Sequence, residues 1–204
     1  MENQIKKESR FLLWFKKNFT TSVICANAFT ACLYAVVTYL CGPLAYEFSQ
    51  FRFSEALNLL VFFNPTYTVG LTIGCFLANI MSTVGPLDLI FGTLATLVSC
   101  LLMVFFSKVC KNLFISSLFP TIINAIVVPF TIYLSTINTG EPMDLSYMYW
   151  VMFGWVALGE FVCITCLGYP LFIILMKKTK GFSKLIFASR NLDFKWWFYG
   201  MWRF

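Results

Sequence analysis

The 204-residue chain is 59% hydrophobic and only 12% charged, with a formal net charge of +6. An ordinary globular domain is about 45–50% apolar and about 25% charged, and its interior is too small to hide such an excess. The composition therefore excludes a soluble fold for most of the chain. The absence of histidine also excludes histidine-based catalysis and histidine metal ligands. No phosphate-binding P-loop motif occurs.

Apolar runs predict where the chain crosses a membrane. A crossing needs about 20 apolar helical residues, and the runs cover residues 20–41, 53–82, 86–107, 113–137 and 147–176. The second run is too long for one span and contains Asn64-Pro65. Because proline disfavours helix before it, we divide this run into helices near 53–63 and 65–82. The first of these is short, so we expect thinned lipid or a partly re-entrant segment there.

The predicted fold is an all-α integral membrane protein with six helices in a single domain, residues 1–204. Six crossings place both termini on one side, and every Lys and Arg except Arg52 then lies on that side. By the positive-inside rule this side is the cytoplasm. Residues 1–19 and the basic, aromatic stretch 177–204 are therefore predicted to be cytoplasmic tails. We attribute the net positive charge to the membrane topology, since the basic residues flank the predicted spans. We therefore expect no nucleic-acid partner.

The eight cysteines are interpreted as packing residues. Most of them lie inside or at the ends of apolar runs, where a free cysteine behaves as a small hydrophobe. Cys163 and Cys166 have the spacing of a redox CxxC motif, but no βαβ pattern surrounds them. We expect neither a metal site nor a cofactor.

Polar groups within the predicted spans indicate a binding site, because a charged group in lipid is costly and marks a pathway or site by default. All of them fall at mid-depth or toward the outer side of the spans. We therefore predict an outward-facing polar cavity that binds a small molecule. The candidate substrate-binding residues are Arg52, Glu55, Asn79, Asp88, Asn124 and Glu160.

Most of these residues also have a structural interpretation. Asp88 follows Pro86 and is suited to cap a helix. Arg52 and Glu55 are three residues apart and suited to pair, so we expect Arg52 to hold Glu55 in place. The two asparagines are suited to hydrogen-bond between helices. Glu160 has no cation near its depth, and for it we favour a ligand-binding or a protonated role.

A stripe of small residues marks the first predicted helix. Ala28, Ala31 and Ala35 recur on one face, and small residues let helices approach closely in lipid. The stripe is typical either of packing on the protein's own helices or of docking by another membrane subunit.

Ordered blocks of the chain resemble the QueT family. The blocks are 31–38 (ACLYAVVT), 50–57 (QFRFSEAL), 70–79 (GLTIGCFLAN), 85–97 (GPLDLIFGTLATL) and 157–160 (ALGE). The resemblance extends from about residue 28 to 178 and so covers nearly the whole membrane region.

This resemblance implies the substrate-binding (S) component of an energy-coupling factor (ECF) transporter in a prokaryotic plasma membrane. Such a component has six helices, no ATPase and no enzyme activity. The resemblance implies uptake of a queuosine precursor, such as queuine or its aminomethyl precursor, bound near the outer face. It also implies that the alanine-bearing first helix docks onto a transmembrane coupling subunit driven by two cytoplasmic ATPases.

The ligand chemistry agrees with the candidate residues. A deazaguanine has adjacent N–H donors that one carboxylate accepts bidentately, and the cationic aminomethyl form favours a second carboxylate. The alternative is a stand-alone secondary transporter, with Glu160 or Asp88 as the proton-coupling carboxylate. Inverted repeats would favour that alternative, and the sequence shows none.

Overall fold

The computed structural model describes residues 20–42, 45, 51–82, 85–110, 112–139 and 145–178. The predicted tails, apart from Lys177 and Lys178, lie outside the described residues. The all-α membrane fold is confirmed, because four helices are long and apolar enough to cross a membrane and two shorter apolar helices accompany them. Large apolar side chains also cover the outside of the bundle, with Leu40 82% exposed and Phe29 66% exposed. Such a surface suits lipid.

The described residues form the following helices. In chain order they are α1 (Thr21–Cys41), a 3₁₀ turn (Phe53–Asn58) that continues into α2 (Leu59–Phe63), α3 (Tyr67–Asn79), α4 (Pro86–Val109), α5 (Leu113–Thr139), α6 (Leu145–Glu160), a π-helical segment (Phe161–Gly168) and α7 (Tyr169–Lys178). The stretch Ser146–Lys178 is one apolar helix of 33 residues. Counted in this way, the described chain has the six helices that were predicted.

The predicted division at Asn64-Pro65 is confirmed. Asn64 has an extended backbone (φ −145°, ψ 108°), and its side-chain oxygen accepts hydrogen bonds from the backbone N–H (3.1 Å) and hydroxyl (2.9 Å) of Thr66. The second piece is shorter than predicted, because α3 ends at Asn79 and not near residue 82. Phe53–Phe63 and Tyr67–Asn79 are each about 20 Å long, less than the roughly 30 Å of the hydrocarbon core.

The two ends of the bundle differ in chemistry. Arg52, Asn79 and Asp88 meet at one end, which we call the polar end. Lys108, Lys177 and Lys178 lie in the last turns of α4 and α7, which define the lysine end. The chain therefore leaves the polar end at the 3₁₀ turn and returns to it at the end of α3.

Helices α1 and α3 approach closely through small residues. A Cβ atom on Gly74 would lie 2.8 Å from the Tyr34 Cβ and 2.9 Å from the Ala31 carbonyl oxygen. Ala31 and Ala35 are buried, whereas Ala28 is exposed. Of the two interpretations of the alanine stripe, the structure therefore supports internal packing for Ala31 and Ala35.

The two segments that depart from α-helical geometry pack against each other. Pro170 has no N–H, so it cannot close an α-helical bond to the carbonyl of Cys166, and the π segment lies just before it. A Cβ atom on Gly168 would lie 2.9 Å from the Ala56 Cβ in the 3₁₀ turn. Glu55 lies in the 3₁₀ turn, and Glu160 directly precedes the π segment.

Candidate ligand-binding site

The six candidate residues come together inside the bundle. Their side chains are all buried, with none more than 3% exposed. They belong to two adjoining groups. The rim cluster consists of Arg52, Asn79, Ser82 and Asp88 at the polar end. The central cluster consists of Tyr34, Glu55, Asn58, Asn124 and Glu160. An open outward-facing cavity was predicted, whereas the structure buries all six side chains away from solvent.

An ion pair closes the rim cluster. The Arg52 guanidinium lies 3.1 Å from Asp88 Oδ2, which also accepts a 2.5 Å hydrogen bond from the Ser82 hydroxyl. Arg52 Nε donates to the carbonyl oxygen of Ala45 at 3.3 Å. Asp88 lies in the first turn of α4, where the helix dipole favours a carboxylate. The N-cap of α4 is Gly85 and no side chain caps the helix, so the capping bond predicted for Asp88 is not observed and its carboxylate forms the buried ion pair instead.

The prediction that Arg52 holds Glu55 needs correction. The structure shows Asp88 as a carboxylate partner of Arg52, and the charge of the guanidinium acts on Glu55 from there. Arg52 precedes the 3₁₀ turn with φ −95° and ψ 88°, so helical spacing does not direct its side chain toward Glu55. It reaches the start of α4 instead.

Asn79 joins α3 to the rim cluster. Its amide donates to the backbone carbonyl of Asp88 at 3.2 Å and to Cys75 Sγ at 3.5 Å. A Cβ atom on Gly92 would lie 2.6 Å from Asn79 Nδ2 and 3.0 Å from Asp88 Oδ1. Glycine at position 92 is therefore what allows Asn79 and Asp88 to lie side by side.

Both carboxylate oxygens of Glu55 accept hydrogen bonds from side chains of the protein. Tyr34 on α1 donates its hydroxyl to Glu55 Oε1, and Asn58 donates its side-chain amide to Glu55 Oε2. Sequence reasoning missed Tyr34 and Asn58. The available signals were the position of Tyr34 between Ala31 and Ala35 and the presence of an amide at 58 within an apolar run.

Among the described residues, only one carboxylate oxygen of Glu160 accepts a hydrogen bond. Asn124 Nδ2 donates to Glu160 Oε1 at 3.0 Å, and Asn124 also interacts with Glu55. Within the described part of the chain, Glu160 Oε2 has no hydrogen-bond partner. One amide on α5 thus lies between two carboxyl groups, and one carboxyl oxygen remains available.

Three buried acceptor oxygens in the clusters have no donor among the described residues. They are Asn79 Oδ1, Asp88 Oδ1 and Glu160 Oε2. Buried polar atoms in folded proteins nearly always have a hydrogen-bond partner, so this set suits a ligand that carries several N–H donors. The other buried side-chain polar atoms without a hydrogen-bond partner among the described residues are the hydroxyl oxygens of Thr68, Ser99 and Ser116.

The described residues do not form a metal site, since no three Cys, Asp or Glu side chains among them are grouped to hold an ion. Cys163 is buried, Cys166 is exposed, and both are free thiols. An aromatic cleft of about 270 Å³ between α5 and α6 is lined by Phe130, Tyr133, Ser146, Tyr149 and Trp150. None of the six candidate residues lines it.

Comparisons with known proteins place these observations in a family. The family model described as QueT transporter matches residues 24–177, a range that includes both clusters. The queuosine precursor transporter QueT of Lactococcus lactis subsp. cremoris (strain MG1363) is 31% identical over 152 residues, which cover 73% of this chain and 89% of that relative. No solved structure matches the chain.

Proposed function

Because the chain belongs to the QueT transporter family, we propose that it is the substrate-binding subunit of an ECF uptake transporter. Its ligand is a queuosine precursor, held in the buried site between the rim and central clusters. Membership of a transporter family and several apolar helices make the chain a multi-pass membrane transporter. The Lactococcus relative is named a queuosine precursor transporter, which supports this choice of substrate.

The three unpartnered acceptor oxygens carry the proposal. A deazaguanine has N–H donors on its pairing edge and on its exocyclic amine, which complement carboxylate and amide oxygens. Glu160 Oε2 takes one such donor, while Asp88 Oδ1 and Asn79 Oδ1 take others. A ligand that lacks these donors would leave buried acceptors unpaired, and that penalty gives selectivity.

Access to the site requires the rim cluster to open. The Arg52–Asp88 pair and the Ser82 hydroxyl close the polar end in the observed arrangement, and a ligand that replaces Ser82 or Arg52 on Asp88 would enter past them. We place the polar end outside the cell and both termini in the cytoplasm of a prokaryote. Labelling of a Gly140→Cys variant with an impermeant thiol reagent in intact cells tests this orientation, and protection of that cysteine would contradict it.

The source of energy lies in partner subunits. The chain has no P-loop, so ATP hydrolysis falls to two ATPase subunits that act through a transmembrane coupling subunit. Ala28 is the exposed member of the alanine stripe, and its face of α1 is the proposed docking surface. The ligand leaves chemically unchanged, and the chain has no enzymatic role.

Uptake measured with and without the partner subunits tests this function. Cells that express the chain together with the coupling and ATPase subunits are expected to accumulate a labelled deazaguanine. Cells that express the chain alone are not expected to accumulate it. A control replaces the P-loop lysine of the ATPase subunits and is expected to abolish uptake. Accumulation by the chain alone would establish the secondary transporter and overturn ECF coupling.

A further inference from the structure

The buried site has more negative than positive groups. The rim and central clusters together contain three carboxyl groups and one guanidinium, and the ion pair joins that guanidinium to Asp88. Glu55 and Glu160 have only neutral hydrogen-bond donors among the described residues, namely Tyr34, Asn58 and Asn124. Both glutamates are at most 1% exposed. Two buried carboxylates without a directly paired cation cannot both stay ionised at low cost.

Asn124 links the two glutamates. Its amide donates to Glu160 Oε1 and also interacts with Glu55, and the two carboxyl groups interact electrostatically. When like charges share a site, the protons bind to the pair and not to one residue. Glu160 Oε2, which has no partner in the described chain, is a position where a proton would be held.

Resting on the proposed function, we propose that Glu55 and Glu160 share one proton in the empty site, and that a cationic ligand expels it on binding. The ligand class is a planar base with a primary ammonium or amidinium group. In this exchange the carboxyl O–H bond breaks and the proton passes to water. A ligand N–H then takes its place on Glu160 Oε2, so the net charge of the site is unchanged. A neutral ligand leaves the proton in place.

The other ionisable groups around the two glutamates do not supply a second positive charge in place of this proton. Among the described residues they are Tyr34 on α1, Arg52 before the 3₁₀ turn, Cys75 on α3, Asp88 and Cys100 on α4, and Cys163 in the π segment, and the contact from α5 is the neutral amide of Asn124. Arg52 is the sole cation of this set, and its charge acts on both glutamates from the ion pair with Asp88.

The pH dependence of binding follows from the proton count. The empty site holds one proton more than the site with a bound cation, so raising the pH favours binding. The affinity for an aminomethyl deazaguanine is expected to rise by about tenfold per pH unit while the empty site stays protonated. The affinity for a neutral deazaguanine of the same shape is expected to stay constant.

Infrared spectroscopy of the purified, ligand-free protein at neutral pH tests the shared proton without any ligand. A protonated carboxyl group gives a carbonyl band that shifts in heavy water and that carboxylates lack. The band is expected in the wild type and in a Glu8→Gln control, and it is expected to vanish in Glu160→Gln. The heavy-water shift needs no variant, so a folding defect does not block the test. Absence of the band in the wild type would overturn the inference.

Calorimetry then tests the exchange and separates it from the proposed function. Titrations with an aminomethyl deazaguanine in two buffers of different ionisation enthalpy count the protons released. About one proton per bound ligand is expected from linkage, and zero would overturn the inference while the transport function stands. If no deazaguanine binds at all, the proposed function fails, and the infrared band still decides whether the pair is protonated.

Discussion

Asn124 on α5 donates a 3.0 Å hydrogen bond to Glu160 at the end of α6, and the same side chain interacts with Glu55 in the 3₁₀ turn. A single amide therefore connects three elements that are distant in the sequence. Among the described residues, one oxygen of Glu160 has no hydrogen-bond partner, whereas both oxygens of Glu55 accept hydrogen bonds. We propose that Glu160 contacts the ligand and that Glu55 organises the surrounding side chains.

Replacing Glu160 with glutamine is expected to weaken binding of the precursor by tenfold or more. The variant keeps the shape of the side chain but presents an amide donor to a ligand donor. The lost charge-assisted hydrogen bond is worth about 1.5–3 kcal/mol, and about 1.4 kcal/mol corresponds to a factor of ten. Calorimetric titration measures the loss, with a melting curve to show that the variant is folded. The matched Glu8→Gln variant, in the N-terminal tail, is expected to bind like the wild type, and near-wild-type affinity of Glu160→Gln would exclude this residue from the site.

Replacing Glu55 with glutamine is expected to lower stability. The new amide group would face the Asn58 amide or the Tyr34 hydroxyl, which both donate to Glu55 in the wild type. An unsatisfied buried donor costs about 1–3 kcal/mol. Thermal unfolding in detergent without ligand measures this cost. An unchanged melting temperature together with a large loss of affinity would instead make Glu55 a direct ligand contact.

Replacing Gly92 with alanine is expected to damage both stability and binding. The added Cβ atom would lie 2.6 Å from Asn79 Nδ2, so Asn79 and Asp88 would have to move apart. Overpacking of this kind costs about 1–3 kcal/mol. The matched control is Gly154→Ala, since a Cβ atom on Gly154 meets no heavy atom within 4 Å. The prediction is wrong if the two variants melt and bind alike.

Leucine substitutions on α1 are expected to separate internal packing from docking. Ala31 is buried against Gly74, so Ala31→Leu should lower the melting temperature of the isolated protein. Ala28 is exposed, so Ala28→Leu should leave melting and ligand binding unchanged while it weakens co-purification with the coupling subunit. Undiminished co-purification of Ala28→Leu would show that this face does not dock.

The main features of the fold were predictable, because lipid imposes a simple rule of length and hydropathy on each helix. The break at Asn64-Pro65 was predictable because proline disfavours helical backbone in the residue before it. The end of α3 at Asn79 was not, since Ile80 and Met81 are apolar and hydropathy does not show where helical hydrogen bonds stop. The π segment also has no hydropathy signal.

The candidate site was only partly predictable. Charged and amide groups in a span avoid lipid and turn inward, so the six candidate residues were expected to meet, and they lie together in the structure. The partners of each group depend on side-chain geometry, which spacing does not give. Arg52 therefore pairs with Asp88 and not with Glu55. Tyr34 was missed because a tyrosine beside small residues also suits simple packing, and Asn58 was missed although it is an amide within an apolar run.

Calorimetric titration of the purified wild-type protein with a panel of compounds is the most direct test of the proposed substrate. The panel contains queuine, its aminomethyl precursor, guanine and vitamins without a purine-like base. We expect saturable binding of at least one deazaguanine and no binding of the vitamins, because the proposed function has the N–H donors of a planar base pair with Asn79, Asp88 and Glu160. Binding of an unrelated vitamin in place of every deazaguanine would contradict the proposed substrate.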